Sequence, residues 1–221
     1  MLFHMIKCNQ LDFSNYFIVK KLVSSNYGGI KMSLIECRQF EQKIAFHMAP
    51  SLFGIKCANL ISLSRKDFDI PEHIKRFNQK VSARGLTMKI LCTCNDKVLI
   101  LLYHKKKLSL QLKKKQYLEI LKMYGYSESM SLDEMLYHLS ERINCYSEFP
   151  HEIGVFLGYP ADDVIGFIEN KGENYSLCGY WKVYGDKEFA QNMFKRYDRC
   201  RQFLCDKLNQ GYDIYQALKI S

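Results

Sequence analysis

The chain contains no apolar stretch long enough to cross a membrane as a helix. Its longest purely apolar run, Val98 to Tyr103, is far shorter than the roughly 20 residues that a spanning helix needs. A leader that is first charged, then apolar, then rich in small residues is also absent from its start. These two absences predict a cytoplasmic protein with no membrane insertion.

Internal repeats, linkers and low-complexity segments are absent as well. A chain of 221 residues with 48% hydrophobic and 14% aromatic content can bury one sizeable core, which predicts a single domain. The nine cysteines are an odd number in a long chain without an export signal, so we expect reduced thiols rather than a disulfide framework.

The N-terminal segment differs from the rest of the chain. Residues 1–31 show neither helical nor strand periodicity over the length of a full element. Read back into codons, residues 28–32 permit a ribosome-binding sequence spaced correctly before a start codon at Met32. We therefore predict that residues 1–31 are a non-native or disordered extension and that residues 32–221 form the single domain. The alternative is an ordinary Gly-Gly turn after an N-terminal strand.

Sequence patterns in the first half predict a sheet flanked by helices. A helix from Leu34 to Met48 should end at Pro50, and a second helix should close at Gly85. The β-rich runs are Ala58 to Leu63, Leu86 to Cys94 and Lys97 to His104. The pair Asn95-Asp96 between the last two runs favours a tight hairpin.

The second half is predicted to be mainly helical. Helical patterns cover Leu108 to Tyr124, Leu132 to Ile143, His151 to Leu157 and Ala161 to Ile168. Ser131 with Glu134 fits a capping box, and Asp186 fits the cap of a long final helix. Leu177 to Tyr184 alternates as a strand does. The expected fold is α+β, with a small mixed or antiparallel sheet of about four strands packed against several helices.

Three long motifs stand out in this second half. They read FPHEIGVFLGYP from Phe149, DVIGFIENKG from Asp163 and CGYWKVY from Cys178. Together with residues 49–52, 54–56 and 58–60 they resemble a bacterial family known only as domain of unknown function 3793. The resemblance implies a cytoplasmic protein of anaerobic bacteria, sometimes encoded near iron-uptake and flavodoxin genes. It constrains the fold more than the function, because it implies no assigned activity.

The stretch from residue 150 to residue 184 is the best candidate for a binding pocket. It holds five of the twelve glycines together with many aromatic and polar residues. Glycines let a ligand approach the backbone closely, and the amides that begin the two short helices can hold an anion. The alternative is tight helix packing through Gly154 and Gly158.

His151 is the first catalytic candidate in this stretch. It precedes Glu152 as in a zinc protease motif, but the second histidine of that motif would fall at Val155, so zinc protease chemistry is not supported. In a first helical turn the positive helix end favours the neutral imidazole, which suits a polar anchor or a base. A surface cap or a hydrogen-bonded structural histidine is the alternative.

Five further residues complete the predicted pocket. Asn170 and Lys171 are expected to contact an anionic ligand. Cys178, Tyr180 and Lys182 share one strand face by the period of two. A lysine beside a cysteine lowers the pKa of the thiol, so Cys178 and Lys182 are catalytic candidates and Tyr180 is a ligand contact. The alternative for Cys178 is a small buried or half-buried thiol.

Cys92 and Cys94 offer at most half of a soft-metal site. They lie two residues apart on a predicted strand and therefore on one face. Ile90 extends the same face, which makes core packing the stronger interpretation. We assign no metal site, and the identity of any cofactor stays open.

A run of lysines forms the other candidate surface. The residues predicted to contact polyanions are Lys105, Lys106, Lys107, Lys113, Lys114 and Lys115. They can touch phosphates of nucleic acid, lipid or cofactor, although a solvated helix face explains the run equally well. Interleaved aromatic residues and arginines are absent from the run, so sequence-specific nucleic-acid recognition is disfavoured.

These patterns, together with the link to iron and redox metabolism that the family resemblance implies, rank three functions and leave open whether the protein is an enzyme. The first is a cytoplasmic ligand- or cofactor-binding protein linked to iron or redox metabolism, with a pocket formed by residues 150–184. The second is a non-catalytic protein-interaction or regulatory module. The third is nonspecific polyanion or nucleic-acid binding through the lysine run. The expected partners are a small anionic ligand or a redox partner protein.

Overall fold

The computed structural model describes residues 33–145 and 149–220. The prediction that residues 1–31 are an extension lies outside this range. The described residues form an α+β fold, as the sequence patterns predict: a three-stranded sheet and a two-stranded hairpin packed with helices. Within these residues, no helix has both the length and the apolar character needed to cross a membrane.

The main sheet has its most apolar strand in the middle. Its strands are β1 (Ala58–Ser64), β2 (Leu86–Cys94) and β3 (Lys97–His104), antiparallel in the order β1-β3-β2. Every side chain from Val98 to Tyr103 is buried, and alternate residues enter the cores on the two faces of the sheet. A central strand covered on both faces requires an unbroken apolar run, which explains the pattern seen in the sequence. The hairpin at Asn95-Asp96 is confirmed, with Asn95 at a positive φ of 50°.

One face of the sheet is covered by the first two helices and the chain's C-terminal end. The first two helices are α1 (Leu34–Leu52) and α2 (Ile70–Val81). The C-terminal part of the long helix α8 (Lys187–Asn209) and the short helix α9 (Ile214–Ala217) pack on the same face. Ser33 caps α1, and its hydroxyl accepts a hydrogen bond from the Glu36 amide. The expectation that Pro50 ends α1 is wrong, because the helix continues to Leu52. The Pro50 carbonyl accepts hydrogen bonds from the amides of Ile55 and Lys56, which folds the chain back toward β1.

The other face is covered by five helices. They are α3 (Lys105–Leu112), α4 (Lys115–Lys122), α5 (Leu132–Cys145), α6 (Ile153–Phe156) and α7 (Ala161–Glu169). The single helix predicted from Leu108 to Tyr124 is instead two helices, because Lys114 adopts an extended conformation between them. The capping box at α5 is confirmed: the Ser131 amide donates to Glu134 at 2.7 Å, and the Glu134 amide donates to the Ser131 hydroxyl at 3.3 Å.

The strand predicted from Leu177 to Tyr184 is wrong. The segment forms a two-residue hairpin of β4 (Leu177–Cys178) and β5 (Lys182–Val183), closed by a turn in which the Gly179 amide donates to the Trp181 carbonyl. The turn reverses the chain in the middle of the expected strand, so its alternation does not describe one continuous face. Helix α8 follows, and its Asp186 cap is confirmed by a hydrogen bond of 2.9 Å from the Phe189 amide.

The faces of β2 also differ from the prediction. Ile90 pairs with Ile100 and Cys92 pairs with Leu99, so the extra residue between Ile90 and Cys92 forms a β-bulge. An inserted residue inverts the alternation, so Ile90 and Cys92 lie on opposite faces. Ile90 is 36% exposed, and Cys92 packs against the core on the α3–α7 side.

Candidate functional site

A pocket of about 330 Å³ lies beside β1, at the edge of the main sheet. Helix α1 and strand β1 supply one wall, and the segments around α6, α7 and the β4–β5 turn supply the other. This volume is at the lower end of the range for small-molecule pockets. The two walls come from segments far apart in the sequence, residues 43–99 and 149–182, so the pocket exists only in the folded protein.

The wall of this pocket is strongly basic. Its basic side chains are Lys43, His47, Lys56, Lys97, His151 and Lys182. Among the described lining residues, Asp163 is the one carboxylate. Its oxygens accept hydrogen bonds from Trp181 Nε1 at 2.6 Å and from the amides of Tyr184 and Gly185 at 2.7 and 2.8 Å. Basic side chains therefore outnumber carboxylates in the described lining.

Lys56 is the most unusual member of the wall. Its side chain is 4% exposed, and its ammonium lies over the ring of Tyr159 at 4.8 Å and over that of Tyr197 at 5.9 Å. Within the described ranges, no carboxylate forms a salt bridge with it. Burial lowers the pKa of Lys56 to about 8. A cation buried in this way is costly unless something compensates it.

The buried charge of Glu152 shows how the same fold normally treats such a group. Glu152 is fully buried, and its carboxylate is paired with the guanidinium of Arg142 and accepts a further hydrogen bond from Tyr126 at 3.4 Å. Buried charges in proteins are usually satisfied in this way. Lys56 departs from this arrangement, which marks it as a functional candidate.

The local chain conformation explains how Lys56 reaches its buried position. Gly54, at a φ of +67°, reverses the chain after α1, a conformation that favours glycine. The Lys56 amide then donates to the Pro50 carbonyl at 3.1 Å, and β1 begins two residues later at Ala58. Lys56 is therefore held by backbone contacts at the junction of a helix and a strand.

Asn59 adds a hydrogen-bond donor to the same wall. It is 5% exposed, and its side-chain oxygen accepts a hydrogen bond of 2.7 Å from the Ser51 hydroxyl. This contact uses the side-chain oxygen, so Nδ2 is the donor that Asn59 contributes to the pocket lining. A ligand oxygen in the pocket can accept from it.

Two histidines line the pocket from opposite walls. Burial, together with the nearby cations Lys43 and Arg201, lowers the pKa of His47 to about 4, so this imidazole is neutral near pH 7. His151 packs edge-on against Phe167 at 5.3 Å, and its Nδ1 is buried without a hydrogen-bond partner in the described part of the chain. Helix α6 begins at Ile153, so His151 precedes the first helical turn in which it was predicted.

Aromatic rings form the remaining surface. Tyr159 and Trp181 are stacked at 5.2 Å with an interplanar angle of 27°, and the Tyr159 hydroxyl donates to the Tyr180 carbonyl at 3.2 Å. The hydrogen bond from the indole to Asp163 fixes the orientation of Trp181. These rings supply a rigid apolar wall next to the basic groups.

Three of the residues predicted for the site lie in the pocket, whereas Asn170 and Lys171 do not. His151, Tyr180 and Lys182 line the pocket, and Lys182 Nζ donates to the Gly172 carbonyl at 2.5 Å. Asn170 is outside the lining, and its amide donates to the Gly166 carbonyl at 2.9 Å at the end of α7. Lys171 is exposed in the following turn, at a φ of 52°, and is also outside the lining.

Cys178 differs from its predicted state. It lies opposite Lys182 in the β4–β5 hairpin, but it is exposed, is disulfide-bonded and does not line the pocket. A disulfide sulfur has no thiol proton to lose, so the predicted activation of a Cys178 thiolate by Lys182 does not apply to this state. The other cysteines described as free thiols are Cys37, Cys57, Cys92, Cys94, Cys200 and Cys205.

The remaining predicted surfaces lie away from the pocket. All six lysines of the run are exposed, at the start of α3 and at the α3–α4 junction. Lys107 donates to the Gly54 carbonyl and Lys114 donates to Gln111, so part of the run makes local contacts. Polyanion binding by this surface stays a prediction. Among the described residues, no cluster of three or more His, Cys, Asp or Glu side chains is arranged to hold a metal ion.

The glycines of the predicted site mainly serve packing. A Cβ on Gly154 would lie 2.9 Å from Val164 in α7, so glycine lets α6 and α7 approach closely. Gly158 has a φ of +73°, and a Cβ there would lie 2.7 Å from the Cys57 sulfur. These contacts favour the packing interpretation of both glycines.

Lys56, Asn59 and His47 were missed because the search centred on residues 150–184. Lys56 did carry a signal: it is a lone lysine directly before a buried strand, inside one of the family-like motifs. Asn59 is a polar residue within the apolar run of β1, which is a second signal of the same kind. Neither signal identifies the partner wall, which comes from distant residues.

Comparison with known proteins gives a family but no characterised relative. The model of the family described as Protein of unknown function (DUF3793) matches residues 44–218. No curated protein and no solved structure matches the chain.

Proposed function

The chain belongs to the DUF3793 family, and we propose that its member described above binds a small anionic molecule in the basic pocket beside β1. The observation that carries this proposal is the buried ammonium of Lys56, which has aromatic neighbours and no carboxylate partner among the described residues. An anionic ligand supplies the missing counter-charge.

The energetics of the pocket favour an anion over a neutral ligand. Charge-assisted hydrogen bonds are stronger than neutral ones, and the effect grows where water is excluded. The free-energy cost of burying Lys56 is incurred when the protein folds, so the attraction between Lys56 and an anion contributes to the binding free energy. Lys43, Lys97 and Lys182 add positive charge around the same space.

The aromatic wall favours a ligand with a planar part. Tyr159 and Trp181 form a stacked pair, and Phe167 and Tyr180 line the same pocket. Planar rings pack well against such faces, whereas phosphate or carboxylate groups suit the lysines and the Asn59 amide. A ring bearing an anionic group therefore fits better than a simple inorganic ion.

The link to iron or redox metabolism rests on the sequence resemblance and enters this proposal as a choice of first ligand. Flavin mononucleotide has both a planar ring system and a phosphate, and riboflavin is the same ring without the phosphate. Adenosine monophosphate and adenosine form a second matched pair. Each pair isolates the contribution of the anionic group.

Isothermal titration calorimetry of the full chain with these four compounds tests the proposal. We expect at least one phosphorylated compound to bind about tenfold or more tightly than its unphosphorylated counterpart, the worth of one charge-assisted hydrogen bond. Lys56→Met should abolish this preference, whereas Lys195→Met, at an exposed position outside the pocket, should preserve it. Equal affinities within both pairs, or a preference that survives Lys56→Met, would contradict the proposal.

A further inference from the structure

The surroundings of Lys56 suit a reactive amine as well as a counter-ion. A lysine that only holds an anion does not need to be enclosed, and Lys97 at the pocket edge is exposed. Lys56 is instead enclosed by the rings of Tyr159 and Tyr197, which accept a cation weakly and leave a neutral amine undisturbed. Among the described residues, no acceptor receives a hydrogen bond from its Nζ.

We propose that the Lys56 Nζ is a nucleophile that condenses with the carbonyl carbon of an anionic aldehyde or ketone held in the pocket. This inference rests on the proposed anion binding and adds the chemical class of the ligand. The anionic group of the ligand lies among Lys56 and the other lysines of the pocket wall, and its carbonyl carbon lies within reach of the Lys56 Nζ.

The reaction is a condensation without oxidation or reduction. The nitrogen lone pair of the neutral amine forms a bond to the carbonyl carbon, and the π electrons move to oxygen, which takes up a proton as nitrogen releases one. The resulting carbinolamine expels its hydroxyl group with a second proton as water. The products are an imine, formed from the Lys56 nitrogen and the former carbonyl carbon, and one molecule of water.

Burial prepares Lys56 for the first step. With a pKa of about 8, about one tenth of Lys56 is neutral near pH 7, whereas an ordinary lysine is neutral in fewer than about one molecule in a thousand. Desolvation in an apolar setting is a known way to activate a lysine nucleophile. The neutral imidazole of His47 and the Nδ2 donor of Asn59 line the same pocket, and they can accept and donate hydrogen bonds as the carbinolamine forms and breaks down.

Other lysines of the pocket are less suited to this role. Lys182 Nζ donates a hydrogen bond to the Gly172 carbonyl and lies over the ring of Tyr175 at 4.6 Å. Lys97 is exposed, so no aromatic side chains enclose it as they enclose Lys56. The expected reactivity is therefore specific to one position, which makes it measurable.

Pyridoxal 5′-phosphate is the probe, because it combines a planar ring, a phosphate and an aldehyde. Pyridoxine 5′-phosphate has an alcohol in place of the aldehyde, so it offers the same ring and phosphate but cannot form an imine. The full chain is incubated with an equimolar amount of the aldehyde and reduced with borohydride, and the modified lysines are quantified by peptide mass spectrometry. We expect modification at Lys56 to exceed that at exposed Lys195 by about tenfold or more, because burial lowers the pKa of Lys56 and the pocket holds the probe beside it.

Competition and substitution complete the test. An excess of pyridoxine 5′-phosphate should suppress labelling of Lys56 and leave labelling of Lys195 unchanged. Lys56→Arg should lose the site-specific adduct while keeping a positive charge, and its circular dichroism spectrum checks that it folds. If the variant does not fold, the competition experiment with the native chain is the deciding test of the proposal.

The outcomes separate the two proposals. Binding of pyridoxine 5′-phosphate without preferential labelling of Lys56 overturns the nucleophile and leaves anion binding standing. Failure of both compounds to bind, with labelling spread over exposed lysines, overturns both for this class of ligand. Preferential labelling of Lys56 that pyridoxine 5′-phosphate suppresses supports both.

Discussion

Replacing Lys56 by methionine should make the unliganded protein more stable. The methylene stem of Lys56 already packs among aromatic rings, and methionine is an apolar side chain of similar length. What the substitution removes is the cost of keeping a proton on a buried amine. The sign is therefore opposite to that of most core substitutions.

The size of the effect follows from the pKa of Lys56. Burial lowers it from 10.5 to about 8, a difference worth about 3 kcal/mol of folding free energy near pH 7, where both the folded and the unfolded chain are protonated at this group. Between pH 8 and pH 10.5 the unfolded chain binds this proton and the folded chain does not, so the stability of the native protein rises with pH. The advantage of Lys56→Met should therefore shrink from about 3 kcal/mol near pH 7 to about 1.5 kcal/mol near pH 9.5.

Ionisation of the groups around Lys56 does not mask this change in stability in the window between pH 8 and pH 10.5. Burial raises the pKa values of Tyr159 and Tyr197 well above their ordinary range, so both hydroxyls stay neutral throughout it. Burial also raises the pKa of Cys57. His47, with a pKa of about 4, has already lost its proton below the window. Groups common to the native chain and the variant cancel in the difference.

Urea denaturation of the native chain and of Lys56→Met at the two pH values measures the effect. Lys195→Met is the matched control, expected to change the unfolding free energy by less than about 0.5 kcal/mol at either pH because its side chain is exposed. A Lys56→Met variant that is less stable near pH 7, or an advantage that does not shrink with pH, would refute the description of Lys56 as a buried unpaired cation.

Three further substitutions test the contacts that hold the segments around the pocket in place. Arg142→Met should destabilise the fold by about 3–5 kcal/mol in thermal or urea unfolding, because it leaves Glu152 buried without its partner; the same loss should not appear when both residues are made apolar. Asp163→Ala should cost about 2–4 kcal/mol and change the emission of Trp181, the one tryptophan of the chain, because the indole and two amides lose their acceptor; unchanged emission would contradict that role. Gly154→Ala should cost about 1–3 kcal/mol in urea unfolding, because its Cβ would meet a side chain of α7 at 2.9 Å, and a neutral effect would show that the helices can separate.

Much of the fold could be predicted because it depends on neighbouring residues. The apolar run from Val98 to Tyr103 identifies the central strand, and Asn95-Asp96 identifies its hairpin. The caps at Ser131 and Asp186 are likewise contacts between residues three apart.

The errors occur where a local pattern has two structural solutions. Residues 177–184 alternate as a strand, but Asp163 accepts hydrogen bonds from Trp181 and from the amides of Tyr184 and Gly185, which supports a tight hairpin there. On β2, the bulge next to Ile90 inverts the face of every later residue. Neither event has a signal within the segment itself.

The candidate site, like the fold, could be predicted only in part from the sequence. The sequence alone indicated that residues 150–184 are rich in groups that bind ligands, and His151, Tyr180 and Lys182 do line the pocket. Asn170, Lys171 and Cys178 lie outside it, because the turn after α7 and the β4–β5 hairpin direct them elsewhere.

By itself, the sequence determined the class of fold, the central strand and the helix caps, since each has a signal within a few residues along the chain. Tertiary structure alone decided that Lys56 is buried. Its burial comes from Tyr159 and Tyr197, which are distant in sequence and reach it only when α8 and the segment after α6 pack beside β1. A lysine is charged and exposed by default, so its chemistry here is set by the side chains that exclude water from it.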